Sequence, residues 1–155
     1  MSPVYQNFSR SALPKTFVDS FLKKYKRFLL KNLPYKKKVK LRKTPELIIV
    51  FTTDEKIHEL NRRYRGRDYV TDILSFESED SKSLGELVLS PKKIRRQARQ
   101  HKLTFREELA YLLIHGVLHL LGYEHEGSTK KAKIMFKIQD EAFESLSRRS
   151  RRAKK

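Results

Sequence analysis

Three of the chain's five histidines fall in one stretch, His115-Gly-Val-Leu-His119-Leu-Leu-Gly-Tyr-Glu-His125. Residues four apart on a helix lie one turn above each other, so His115 and His119 can aim ring nitrogens at a common point. Gly122 can take the left-handed conformation that ends a helix, letting the chain turn back and deliver His125 from the following loop. A single histidine on an apolar helix is usually a satisfied core residue. Three at these intervals, two of them within a segment otherwise nearly all apolar from Leu109 to Leu121, are hard to satisfy without one shared partner, and a metal ion is that partner.

The chain has no cysteine, so a metal must be held by histidine or carboxylate. Three protein ligands leave a tetrahedral ion one open position for water or substrate, which is the catalytic rather than the structural arrangement. Zinc is the default for three imidazoles, although nickel, iron and copper also accept them, and bound zinc lowers the pKa of water towards ~7. The spacing matches the H-x-x-x-H-x-x-G-x-x-H portion of the metzincin protease motif. Gly116, however, stands where those enzymes carry the glutamate that acts as general base, so peptide hydrolysis by that route lacks its base.

The composition points to a partner. The net charge is +18, and residues 20 to 45 hold eleven Lys or Arg with no Asp or Glu. A field of one sign attracts phosphate at long range, so a polyanion is expected, nucleic acid ahead of an anionic membrane surface. The N-terminus lacks the apolar run of a secretory signal, and Leu109 to Leu121 falls well short of the ~20 residues that span a bilayer. The expectation is a soluble cytoplasmic protein.

Several elements must position the histidines. Val4 to Phe8 reads as a short strand. Phe17, Phe21, Tyr25, Phe28 and Leu29 recur at helical spacing between Pro14 and Pro34. Glu46 to Phe51 reads as a buried strand, followed by a helix capped at Thr53 and ending near Arg65-Gly66. Thr71 to Phe76 and Leu84 to Ser90 are expected to pair in one sheet. Ser90-Pro91 opens a basic helix to about His101, and the capping-box pattern Thr104-Phe-Arg-Glu107 opens the helix that carries His115 and His119. A last helix, roughly Thr129 to Leu146, offers Ile134, Met135, Phe136, Ile138 and Phe143 as core. His58 and His101 are read as exposed. The order of elements predicts an α+β fold, one domain over residues 1–147, with a small mixed β-sheet packed by about five helices around a zincin-like metal site. Residues 148–155, rich in arginine and lysine, read as a disordered basic tail.

With these residues in view, the chain resembles the YbeY family of bacterial endoribonucleases, which act in ribosomal RNA maturation and ribosome quality control. Leu60-Asn-Arg-Arg-Tyr-Arg-Gly-Arg-Asp68 with Thr71-Asp-Ile-Leu-Ser-Phe76, then Leu84-Gly-Glu-Leu-Val-Leu-Ser90, then Glu108 to His125, stand in the family's order. The resemblance implies zinc at His115, His119 and His125, a catalytic part for His115, a functional arginine at Arg65, and a substrate in precursor and small-subunit ribosomal RNA. Three departures are visible: Val70 for the usual proline, Tyr111 where histidine is common, and Glu124 for aspartate. Tyr111 removes any proton transfer by a histidine at that position.

A metal-activated water could attack or polarise a phosphodiester while Arg65 stabilises the developing charge. Asp72 and Glu108 could orient a ligand histidine as carboxylate partners, or serve in helix capping or at the surface. The alternative is a ribosome-assembly factor that binds RNA without cutting it and whose metal is structural.

Overall fold

The computed structural model describes the backbone of residues 1–152 and the side chains of residues 1–147. The basic tail expected over 148–155 therefore lies for the most part outside the described residues. In chain order the elements are β1 (Ser2–Asn7), α1 (Lys15–Asn32), α2 (Tyr35–Lys43), β2 (Glu46–Phe51), α3 (Asp54–Arg65), β3 (Ile73–Glu77), β4 (Ser83–Leu89), α4 (Pro91–Gln100), α5 (Phe105–Leu120) and α6 (Thr129–Arg152).

The four strands form one mixed sheet in the order β1-β2-β4-β3, with β1, β2 and β4 parallel and β3 antiparallel to β4. Successive side chains of a strand point to opposite faces, and the apolar residues sort accordingly. Leu47, Ile49, Phe51, Leu87 and Leu89 join the main core. Val50, Leu74 and Val88 join Ile57 of α3 in a smaller cluster. One face of the sheet therefore carries α3 and the other carries α1 and α5 with their neighbours. β3 lies at one edge of the sheet and forms a wall of the cleft described below.

α5 lies in the middle of the main core. It begins on a complete capping box, in which Thr104 Oγ1 accepts from the Glu107 amide at 3.1 Å while the Thr104 amide donates to Glu107 Oε2 at 3.1 Å. Its buried residues run all the way round the helix, the pattern of a helix enclosed by protein. At Gly116 the helix meets the sheet so closely that a Cβ would lie 2.7 Å from Leu87 Cδ2 and 2.9 Å from Ile73 Cδ1. Any side chain at 116 would have to displace the Leu87 and Ile73 methyl groups that pack against the helix here.

α5 ends in a Schellman turn. The Gly122 amide donates to the His119 carbonyl at 2.9 Å and the Tyr123 amide to the Leu118 carbonyl at 3.0 Å, with Gly122 at φ 93°. This is the 5→2 and 6→1 pair that satisfies carbonyls orphaned at a helix end. Two more carbonyls are met from outside. Lys37 Nζ donates to Leu121 O at 2.7 Å and Lys40 Nζ to Leu120 O at 2.8 Å, placing two cations at the negative end of the helix dipole.

Those lysines belong to α2, the sixth helix where about five are expected. α2 buries only Leu41, so it shows no apolar period from which to infer a helix. α6 departs in a second way. Met135, Gln139, Ala142 and Leu146 are its buried residues among those described, whereas Ile134 and Phe136 are 46% and 40% exposed. The buried stripe thus lies along Met135-Gln139-Ala142-Leu146, spaced by three and four, and a glutamine in that stripe hid it from an apolar count.

Gly122→Ala would force an L-residue into the left-handed region and bring its Cβ to 2.8 Å from Lys37 Nζ. We expect a loss of about 1–2 kcal/mol, seen as a lower urea midpoint with an unchanged slope. An undiminished midpoint would show that this turn does not hold the end of α5.

Candidate metal centre and active-site cleft

The structure brings the three sequence-predicted ligands together. His115, His119 and His125 offer ligand atoms that all lie within 4.8 Å of one another, and their ring centroids are 4.5, 5.2 and 4.9 Å apart. The rings are half-buried at the base of a cleft of about 900 Å³ whose walls include Arg65, Asp72, Ser75, Tyr111 and Phe136.

Each helical ligand has its Nδ1 fixed by an acceptor. His115 Nδ1 donates to Gln139 Oε1 at 2.9 Å, and His119 Nδ1 donates to the Tyr123 carbonyl at 3.0 Å. A neutral imidazole carries one proton, so both protons sit on Nδ1 and both Nε2 atoms present lone pairs. Those two Nε2 atoms face each other at 3.0 Å. Two lone pairs at that separation repel unless a cation or proton lies between them. His125 adds a third sign, because its Nδ1 is buried with no hydrogen-bond partner. The donor set therefore fits a borderline transition metal held by His115, His119 and His125, with the acceptors that normally orient such ligands already in place.

The environment favours the neutral form of the two helical imidazoles. Burial first, and then the charge of His115, lower the pKa of His119 to about 4. His115 is also pulled below its ordinary value, chiefly by burial. Desolvation disfavours the charged form, and a neutral ring is the form that binds a metal.

Asp72 and Glu108, for which the sequence leaves ligand-orienting, capping and surface roles open, bond to other groups. Glu108 is buried and pairs with His101 Nδ1 at 2.9 Å. Asp72 accepts from Gln97 Nε2 at 2.7 Å and from the Ile73 amide at 2.7 Å. Neither touches a ligand histidine; they tie α4 and α5 to the start of β3. Gln139 and the Tyr123 carbonyl take the orienting role. Sequence reasoning missed Gln139 because α6 was read only for apolar positions. The signal was present, since a polar residue lies in line with Met135 and Ala142. His101 is exposed on its outer side and His58 half so, the latter bonded to Asp68.

Arg65 stands on the cleft wall, one guanidinium nitrogen donating to the Ser75 carbonyl of β3 and its Cζ 5.4 Å from the Phe76 ring centroid. Its charge is among the influences depressing His119. Arg67 bonds Glu126 at 2.7 Å and so joins the loop after α3 to the loop that carries His125. Tyr111 lines the cleft beside Gln139, with its pKa raised first by burial and then by Asp140.

The comparisons agree with this geometry. The profile of the family described as "Endoribonuclease YbeY" matches residues 9–147. The chain is 44% identical over 147 residues to an "Endoribonuclease YbeY" of Bdellovibrio bacteriovorus, covering 94% of this chain and 95% of that protein. It is 46% identical over 107 residues to the protein of the same name from Persephonella marina, covering 65% and 70%. The solution structure of TM1509 from Thermotoga maritima is similar at a TM-score of 0.63 and 26% identity, over 97% of this chain and 93% of that one.

Gln139→Leu should fold and yet bind metal about 10–100-fold more weakly, the usual effect of removing a partner that orients a ligand. Titration with zinc against a competing chelator measures it, and wild-type affinity would rule out the orienting role. The histidine environment predicts a second effect. The unfolded chain takes up protons from about pH 6.5 downward, whereas folded His119 resists them until about 4. Metal-free protein should therefore lose stability as pH falls through that window, and His119→Leu should flatten the loss. Urea unfolding in chelator at about pH 7 and about pH 5 decides it; equal pH slopes in the two proteins would refute the assignment.

Proposed function

Since the chain belongs to the YbeY family, we propose that it is a metal-dependent endoribonuclease that cuts single-stranded RNA, its substrate being small-subunit ribosomal RNA and its precursors and its place of action the cytoplasm. The observation that carries the reading is the convergence of three imidazoles in an open cleft that Arg65 and Arg67 also line. Zinc is the ion we assign, one per chain, on the preference of histidine sets. No helix among the described residues is long and apolar enough to cross a membrane.

When bound, the metal supplies Lewis-acid polarisation of a phosphoryl oxygen and acidifies water. The chain's own residues do the rest. Gln139 and the Tyr123 carbonyl hold protons on the Nδ1 atoms and keep both Nε2 lone pairs directed into the site. Arg65 donates from one nitrogen to Ser75 O and has further donors for the non-bridging oxygens of a phosphate at the cleft mouth, where a planar guanidinium can stabilise charge that develops during reaction. Tyr111 carries its proton at neutral pH, as a phenol of ordinary pKa does, and burial raises that pKa further, so it is available as a hydrogen-bond donor, and the part a histidine would play in accepting a proton is absent from that position. Asp72 and Glu126 are already engaged by Gln97 and Arg67.

The structural-metal alternative is not favoured. A closed site has four protein ligands, whereas among the described residues three histidines converge, and they line an accessible cleft.

Arg65→Ala should keep the metal and most RNA affinity but lose cleavage by something like 10²-fold, the effect of removing one charge-stabilising donor. Arg65→Lys should rescue little, since a point charge cannot reproduce a bidentate fork. Normal cleavage by Arg65→Ala at saturating ribosomal RNA would reduce Arg65 to a surface contact.

A further inference from the structure

Outside the metal cleft, the α3–β3 side of the molecule carries aromatic rings that the core does not need. Tyr64, on the last turn of α3, is 55% exposed, and Tyr69, in the loop before β3, is 52% exposed. Tyr64 meets Phe76 of β3 edge to face at 5.5 Å between centroids, and Phe76 forms part of the cleft wall. Each ring has an arginine against it: the Arg63 guanidinium lies 5.5 Å from the Tyr64 centroid and that of Arg65 lies 5.4 Å from the Phe76 centroid.

Exposed tyrosine costs solvation of its ring and contributes little to folding, yet these rings continue directly into the cleft that holds the histidines. Aromatic faces bordered by guanidinium groups match the chemistry of an unpaired nucleotide strand, whose bases stack on rings while its phosphates lie near cations. A paired strand hides its base faces in the duplex and could not use them.

We propose that Tyr64 and Phe76 form a stacking platform for unpaired bases next to the phosphodiester at the metal cleft, with Arg63 and Arg65 receiving the phosphates on either side. The proposal rests on the endoribonuclease reading and adds to it a site that reads bases by their π-faces, with no demand on their identity. Phe76 is the inner half, braced from below by the small cluster around Leu74 and Val88. Tyr64 is the outer half and is free to meet a base. Because Tyr64 is exposed, its replacement should not disturb folding.

The test uses the zinc-loaded full chain and short single-stranded RNA with 2′-O-methyl sugars, intact or carrying abasic positions, with affinity read by fluorescence anisotropy. Wild type should bind intact RNA about tenfold or more tighter than abasic RNA of equal charge, the size of one base stacked on one ring. Tyr64→Ala should lose most of that difference, Tyr64→Phe should keep it and Tyr64→Leu should not. The salt slope should stay the same in all three, because no phosphate contact is removed. Tyr64→Ala discriminating intact from abasic RNA as strongly as wild type would overturn the platform while leaving ribonuclease activity standing. Failure of wild type to bind or cleave any single-stranded RNA would overturn both.

Discussion

Two imidazole lone pairs held 3.0 Å apart are the constraint on which the rest of the site depends. Left alone they repel, and each ring could escape by rotating or by taking a proton. Gln139 Oε1 and the Tyr123 carbonyl block the first escape by anchoring the Nδ1 protons. Burial blocks the second by holding His119 near a pKa of 4. The Tyr123 carbonyl can serve only because the turn after His119 is rigid, and the turn is rigid because Gly122 takes φ 93° while Lys37 and Lys40 bind the last carbonyls of α5. A lysine-rich helix remote in sequence thereby bears on the orientation of a histidine ring.

The same close packing surrounds the position at which the motif lacks a base. α5 is buried on all sides, and at Gly116 its backbone rests against side chains of β3 and β4. A protease of similar histidine spacing needs a carboxylate at that position. Here that position is a glycine packed against Leu87 and Ile73, and the site has ligands for a metal but no adjacent base from α5. Polar groups come instead from β3, from the loop after α3 and from α6. Those elements open to the cleft, and a long polyanionic substrate can reach them.

Much of this was legible in the sequence. The histidine spacing, the capping box at Thr104, the stop at Gly122 and the strand at Glu46–Phe51 are local signals, each carried by a few residues whose chemistry permits little else. What escaped was long-range. α2 has one buried residue and so no period to detect. Gln139 sits in an otherwise apolar stripe, where its meaning comes from His115, 24 residues away. Asp72 and Glu108 lie close in sequence to the right elements but bond Gln97 and His101, a pairing set by how α4 packs on α5. A sequence can show which residues are able to orient a ligand; the packing decides which one does.

The ligand chemistry also suits the substrate's charge. Cysteine or aspartate ligands would cancel part of a divalent ion's charge, whereas three neutral imidazoles cancel none. An ion at this site would keep its whole charge facing a phosphodiester, with the Arg65 guanidinium on the same cleft wall. The cost would be holding a cation within a chain of net charge +18, so the imidazoles would have to bind tightly enough to outweigh repulsion at long range. Screening limits that repulsion to roughly 8 Å at physiological salt, while the ligand bonds act at contact and the anchoring of each Nδ1 removes the freedom that would weaken them. A polyanion would then gain from both ranges: the distributed lysines and arginines would draw it in, and His115, His119 and His125, none of them anionic, would leave a bound ion's charge available to a phosphate.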